Sequence, residues 1–185
     1  MNLVDRIAAG SLRAKIVLVI ASRSDIAGIA KAEAAGLTVR VVSRKDFASA
    51  NEHSDSIFSI CNVAKVDLIC LGGWLQLLCV PDEWLGRVMN IHPSLLPRFG
   101  GRGMWGHYVH QAVLAAGCEQ SGCTVHFVDN EYDAGPIILQ RTCPVLADDT
   151  PARLAARVFA EECVAYPQAI EAYQAGKIVA RAPRP

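Results

Sequence analysis

Apolar and polar positions along this chain alternate between strand-like and helix-like stretches. Residues 15–21 (Lys-Ile-Val-Leu-Val-Ile-Ala) are an unbroken β-branched run, the mark of a strand buried on both faces. Residues 37–42 and 66–71 form two further strands. A short helix over residues 2–9, closed by Gly10, precedes the first strand. Ser24 or Asp25 caps a second helix that runs to about Ala35 and is stopped by Gly36, and residues 48–64 form a third. Strand, helix, strand, helix, strand at this spacing predicts a parallel sheet with right-handed crossovers. In such sheets ligands gather at the C-terminal ends of the strands. Farther on, residues 106–116 read as a helix, and residues 122–128 and 137–145 as two strands joined by the turn 129–136, an antiparallel excursion. Asp149 or Thr150 opens a long amphipathic helix to about Ala165, which Pro167 interrupts. The Pro/Arg-rich tail 180–185 is expected to fray. With no repeat and no linker, residues 1–185 are expected to form a single α/β domain, an open, mostly parallel twisted sheet with helices on both faces.

Composition narrows the function classes. The 185 residues suffice for one well-buried domain, and 52% hydrophobic content argues for a packed chain instead of disorder. Eighteen Lys and Arg balance 18 Asp and Glu, so no net charge draws the chain to nucleic acid or anionic lipid. The longest strongly apolar run, residues 16–21, is far too short to span a bilayer, and the N-terminus shows no charged-then-apolar signal pattern. Seven cysteines are an odd number without a C-x-x-C pair. They suit a reducing cytoplasm and argue against a disulfide framework or a zinc site.

Chemistry concentrates in residues 87–98, Arg-Val-Met-Asn-Ile-His-Pro-Ser-Leu-Leu-Pro-Arg. On a strand, Asn90 and His92 share a face. Pro93 and Pro97 bias their preceding residues toward extended geometry, so the strand runs into a stiff turn. An amide and an imidazole at the end of a buried strand can hold and protonate a developing oxyanion; equally, they can simply satisfy nearby backbone groups. Gly72-Gly73 followed by Trp74, Leu75, Gln76, Leu77 and Leu78 could line a flat apolar pocket, or reflect ordinary helix-to-sheet packing. The Gly-rich loop 99–106 lacks the ending of a P-loop. His107 and His110 stand at i, i+3 but have no third ligand, so they read as solvated or capping histidines. His126, alternating with Val125 and Phe127, reads as structural on a polar face.

Three segments in order, Asn90-Ile-His92-Pro-Ser-Leu-Leu-Pro97, Gly122-Cys-Thr-Val-His-Phe-Val128 and Asp133-Ala-Gly-Pro-Ile-Ile-Leu-Gln140, resemble the phosphoribosylglycinamide formyltransferases. The resemblance covers Asn2 to about Gly176. It implies a Rossmann-like fold and transfer of a formyl group from 10-formyltetrahydrofolate, a cosubstrate, to the amine of glycinamide ribonucleotide in purine synthesis. By match to the family, Asn90, His92 and Asp133 are the catalytic trio. Leu75, Gln76, Leu77 and Leu78, with Asp129, Asn130, Glu131, Tyr132 and Asp133, hold the pterin. Arg44 contacts folate, Glu162 binds the acceptor's ribose hydroxyls, and Asn2 is what remains of its phosphate site. On this reading Asn90 and protonated His92 stabilise the oxygen of a tetrahedral intermediate, at about 3 kcal/mol for each fixed donor. Asp133 is expected to raise the His92 pKa and to relay the amine's proton through water. No metal is implied.

The pattern departs from the family at several points. Relatives open with a strand and a Gly-x-Gly-Ser-Asn phosphate loop, whereas this chain opens at Met1-Asn2-Leu3, where that loop would be ending. The expectation is a longer complete protein with a misassigned start; a shortened paralogue is the alternative. An exposed strand edge would favour a homodimer. Cys163 stands where a histidine often follows the glutamate, the loop 100–106 is long and carries Arg102, and the segment 78–89 is slightly short. Competing functions are formyl transfer to another amine, such as a sugar nucleotide or methionyl-tRNA, and folate binding without catalysis. Cytoplasmic location and small-molecule partners follow from the leading reading.

Overall fold

A computed structural model describes residues 1–178. The tail 180–185, for which fraying was expected, lies outside the described residues. The chain divides into two compact units, one of Met1–Leu68 with Gln76–Cys79, the other of Ile69–Leu75 with residue 80 onward.

The first unit contains α1 (Asn2–Ala8), β1 (Val19–Ala21), α2 (Gly28–Ala34), β2 (Val39–Val41) and α3 (Ala50–Val63), with a 3-10 turn at Arg44–Asp46. β1 and β2 pair in parallel, Val19 opposite Val39 and Ala21 opposite Val41. The apolar run of residues 15–21 is strand only over its last three residues, because only those find ladder partners on β2. Neither Ser24 nor Asp25 caps α2. Asp25 pairs instead with Arg23 at 3.1 Å, and the helix starts at Gly28 without a side-chain cap. α3 is better specified. Ser49 Oγ accepts the Glu52 amide, and the Glu52 carboxylate accepts the Ala48 amide, a reciprocal cap. Ser54 Oγ accepts the Cys79 amide, which ties residues 76–79 to this helix.

The second unit holds β3 (Ile69–Leu71), β4 (Val88–His92), α4 (His107–Ala115), β5 (Gln120–Phe127), β6 (Ile137–Pro144) and α5 (Pro151–Gln174). Its sheet runs β3-β4-β5-β6, parallel between β3 and β4 and antiparallel beyond. α5 packs on β5, β6 and α4. Val88, Met89, Cys123, Val125, Leu154 and Val158 are among the fully buried side chains of this unit. Thr150 caps α5 and Pro151 occupies its first turn, where a missing amide costs nothing. Pro167 does not end this helix, contrary to expectation. The flanking Ala165, Tyr166, Ala169 and Ile170 are all buried, and that packing outweighs one lost helical hydrogen bond. No helix among the described residues is long and apolar enough to cross a membrane.

Candidate active site

Register builds the site. Antiparallel pairing puts Asn90 opposite His126 and His92 opposite Thr124, so two polar pairs sit side by side on one face of β4 and β5. Ile91 and Val125 face the other way, and Val125 is fully buried. His92 and His126 are 4% and 2% exposed, so their polar atoms must find partners inside the protein.

The turn after β4 is pinned from behind. Thr124 Oγ1 donates to the Ser94 carbonyl at 2.6 Å and accepts the Leu96 amide at 3.0 Å. Gln140 Nε2 donates to Thr124 Oγ1 and to the Leu96 carbonyl, and Ser94 Oγ donates to the Arg98 carbonyl at 2.8 Å. The Leu96–Pro97 peptide is cis. This clamp presents the Phe99 carbonyl to His92, whose Nε2–H donates to it at 2.8 Å. The other ring nitrogen, Nδ1, faces Asp133 Oδ2 at 3.4 Å. Asp133 Oδ2 also accepts the Gly101 amide at 2.9 Å. A side chain at Gly100 would collide with Leu96 and crowd Asp133, so glycine there lets the loop close on the carboxylate.

His126 completes the cluster. Its Nδ1–H donates to the Phe127 carbonyl at 2.8 Å, which leaves Nε2 as an acceptor in the neutral ring. Asn90 Nδ2 lies 3.2 Å from that nitrogen and donates to it. The Asn90 amide is thereby oriented, with one N–H engaged and the second available. Asp133 Oδ1 stands 3.5 Å from the same Nε2.

Burial is the largest influence on His92 and leaves its pKa below the ordinary 6.5, although Asp133 pushes it up, as expected, and so does the Phe99 carbonyl. For Asp133, burial raises the pKa, but a protonated His126 beside it, a protonated His92 and the Gly101 amide favour the carboxylate, and the net direction is below 3.8. The resting pair is therefore an ionised carboxylate beside a neutral imidazole.

The remaining residues singled out from sequence are placed as follows. Asn130 Oδ1 accepts the Val80 amide at 2.7 Å, and Asp129 Oδ1 accepts the Glu131 amide at 3.0 Å. Together these shape the turn that ends in Asp133. Glu131 is exposed, and Tyr132 is 39% exposed. Leu75 is exposed, whereas in the first unit Leu78 is buried and Leu77 is partly so. Gln76 Oε1 is buried with no hydrogen-bond partner, an acceptor that awaits a donor. Arg44 Nη1 donates to the Phe47 carbonyl at 2.8 Å, and Asn2 Oδ1 accepts from Arg6 Nε at 3.4 Å. Glu162 lies on α5, where burial pushes its carboxyl up to about 7. Asn90, His92 and Asp133 are brought together; Arg44, Asn2 and residues 76–79 belong to the other unit.

Two histidine assignments change. His126 is a member of the cluster, not a bystander on a polar face. Its signal was available, because Thr124 and His126 repeat on β5 the period-two pair that Asn90 and His92 make on β4. His110 is buried on α4, not solvated, and burial followed by the His92 charge lowers its pKa. His107 is exposed and stacks on Tyr108 with ring centres 4.0 Å apart. Among the described residues no group of three or more His, Cys, Asp or Glu is arranged to hold a metal.

Comparison with known proteins identifies the family. The formyl transferase family profile matches residues 1–170. The chain is 41% identical over 167 residues to the trifunctional purine biosynthetic protein adenosine-3 of Drosophila melanogaster, covering 89% of this chain and 12% of that protein. It is 40% identical to the chloroplastic phosphoribosylglycinamide formyltransferase of Vigna unguiculata, covering 93% of this chain and 56% of the relative. This chain thus spans about an eighth of the first relative and just over half of the second. Among solved structures, glycinamide ribonucleotide transformylase 1 of Symbiobacterium toebii superposes with a TM-score of 0.89 at 34% identity, covering 98% of this chain and 84% of the other. Phosphoribosylglycinamide formyltransferase of Brucella melitensis gives 0.82 at 42% identity, covering 97% and 93%. With the family profile running through both units and Asn90, His92 and Asp133 gathered at the end of β4, the chain belongs to the formyl transferase family, in its phosphoribosylglycinamide formyltransferase branch.

Proposed function

We propose that this chain transfers the formyl group of 10-formyltetrahydrofolate to the amine of glycinamide ribonucleotide, working as one formyltransferase domain. The observation that carries the reading is the buried Asn90–His126–Asp133–His92 cluster, in which Asn90 and Asp133 both reach His126 Nε2 and Asp133 also faces His92 Nδ1. When bound, 10-formyltetrahydrofolate supplies a formyl carbon whose oxygen gains negative charge as the amine attacks. Asn90 meets that oxygen with the N–H that His126 leaves free. His92 cannot use Nε2, which is committed to the Phe99 carbonyl, so Nδ1 is the atom that takes and returns a proton beside Asp133. Asp133 accepts the amine's proton, directly or through water, and the leaving nitrogen of the folate recovers one, so the step conserves protons.

Gln76 Oε1, buried and unpaired, fits the N–H donors of a pterin. Leu75, Leu77 and Leu78 supply apolar lining. The Asp129–Asp133 turn supplies backbone groups, Arg44 a cation for the folate's carboxylates, and Glu162 and Asn2 the acceptor contacts. The partners on this reading are small molecules, without nucleic acid or membrane, in the cytoplasm, and a homodimer is the proposed assembly. Balanced charge and seven free cysteines support that setting.

The test is formyl transfer by the 185-residue chain, followed by the absorbance change of the folate product. Turnover dependent on glycinamide ribonucleotide is expected. A folded chain that binds the folate yet transfers nothing to this amine overturns the assignment of the acceptor.

A further inference from the structure

One hydroxyl ties α5 to the end of β3 and to the first half of β4. Tyr166 is 7% exposed, and its Oη lies 2.7 Å from the Leu71 carbonyl and 3.1 Å from that of Met89. These carbonyls belong to the last two parallel rungs, Cys70 opposite Met89 and Leu71 opposite Asn90. A phenol has one proton to give, so it is shared between two acceptors on two strands and grips both. The Cys70 thiol also hydrogen-bonds this hydroxyl. Packing alone does not call for the polar tip, since phenylalanine would fill nearly the same volume. Glu162 stands four residues earlier, one turn away on the same face of the helix. The helix continues through Pro167, so Glu162 and Tyr166 belong to one unbroken helix.

We propose that Tyr166 is a positioning residue, whose hydroxyl fixes the helix carrying Glu162 against the strand carrying Asn90 and so sets where the acceptor amine sits relative to the formyl carbon. The inference rests on the transferase reading above and adds to it a residue that touches neither substrate. Its effect is specific to one substrate. Loss of the hydroxyl releases α5 from the two strands, so the acceptor held by Glu162 is misplaced while the folate contacts are unchanged.

The experiment compares the unaltered chain with Tyr166→Phe, Glu162→Gln and the double variant, varying each substrate in turn and recording thermal midpoints. Tyr166→Phe is expected to lower kcat/KM for the acceptor about tenfold, the worth of one good hydrogen bond, and to leave KM for the folate within about twofold. In the Glu162→Gln background the same change is expected to add little, because both substitutions disturb one coordinate. Fully additive effects, equal loss for both substrates, or a lowered thermal midpoint with unaltered kinetics would each overturn the proposal alone. Absence of any transfer by the unaltered chain would overturn the transferase reading, and this inference with it.

Discussion

Replacing Glu162 with glutamine tests the energetics of the site without any substrate. Burial shifts this carboxyl from an ordinary 4.5 up to about 7. The folded chain therefore binds a proton more tightly at this carboxyl than the unfolded chain does. Stability from this group is fully present below pH 4.5 and is lost as pH rises through about 7. Each pH unit in that window costs about 1.4 kcal/mol, or about 3 kcal/mol across it. His92 and His110 act oppositely, since burial holds both below 6.5 and the folded state gains from them as pH rises. Only the difference between wild type and Glu162→Gln isolates the carboxyl, because glutamine keeps the shape and cannot ionise. Urea denaturation at pH 5, 6, 7 and 8 is the assay. The variant should gain on the wild type progressively from pH 5 to pH 7 and hold a constant lead above. A difference that does not change with pH would refute the claim that a buried, ionising carboxyl destabilises this fold.

Other perturbations report on the proposed catalytic cluster and its support. Asp133→Asn keeps the shape and the acceptor for the Gly101 amide but removes the charge beside His92; kcat should fall by about a hundredfold or more while folate affinity, measured by fluorescence quenching, changes little. His126→Leu preserves bulk in a buried position and leaves Asn90 Nδ2 without its acceptor, so kcat should drop about tenfold, with both KM values nearly unchanged in steady-state assays. Gly135→Ala drives a methyl group into the Phe127 carbonyl, the same carbonyl that orients His126. That variant should lose more than about 2 kcal/mol of stability in urea titration, or fail to fold.

Much of the fold could be read from local pattern, and the misses have identifiable causes. The long helix after Thr150 was legible because cap, first-turn proline and apolar spacing agree. Its continuation past Pro167 was not, because burial of the following turn is a tertiary fact that overrides a local rule. The run of residues 15–21 looked like a full strand because β propensity is visible in sequence and the presence of a ladder partner is not. At the site, Asn90 and His92 were legible as a period-two pair. The same period-two pair, Thr124 and His126, is visible on β5, but that it lies opposite Asn90 and His92 depends on the antiparallel register, which no local signal encodes. The net shift of His92 was not legible for a similar reason. Charge proximity can be guessed from residue types, but burial has to be measured, and here burial is the larger influence.

Backbone conformation explains how one imidazole is held from both sides. Among the described residues only Lys65, Phe99 and Asp133 take a left-handed φ without being glycine. Phe99, at 57°, supplies the carbonyl for His92 Nε2, and Asp133, at 55°, supplies the carboxylate facing Nδ1. Such a conformation costs an ordinary side chain roughly 1 kcal/mol or more and persists only where the surroundings over-determine it. The surroundings do so here. Ser94, Thr124 and Gln140 hold the loop that ends at Phe99, and the Gly101 amide holds Asp133. The strain is therefore spread over two segments far apart in sequence that meet at a single ring. Loosening either one frees the imidazole to rotate, so substitutions at Ser94 or Gln140, which touch no reacting atom, should lower turnover without changing which substrates the chain binds.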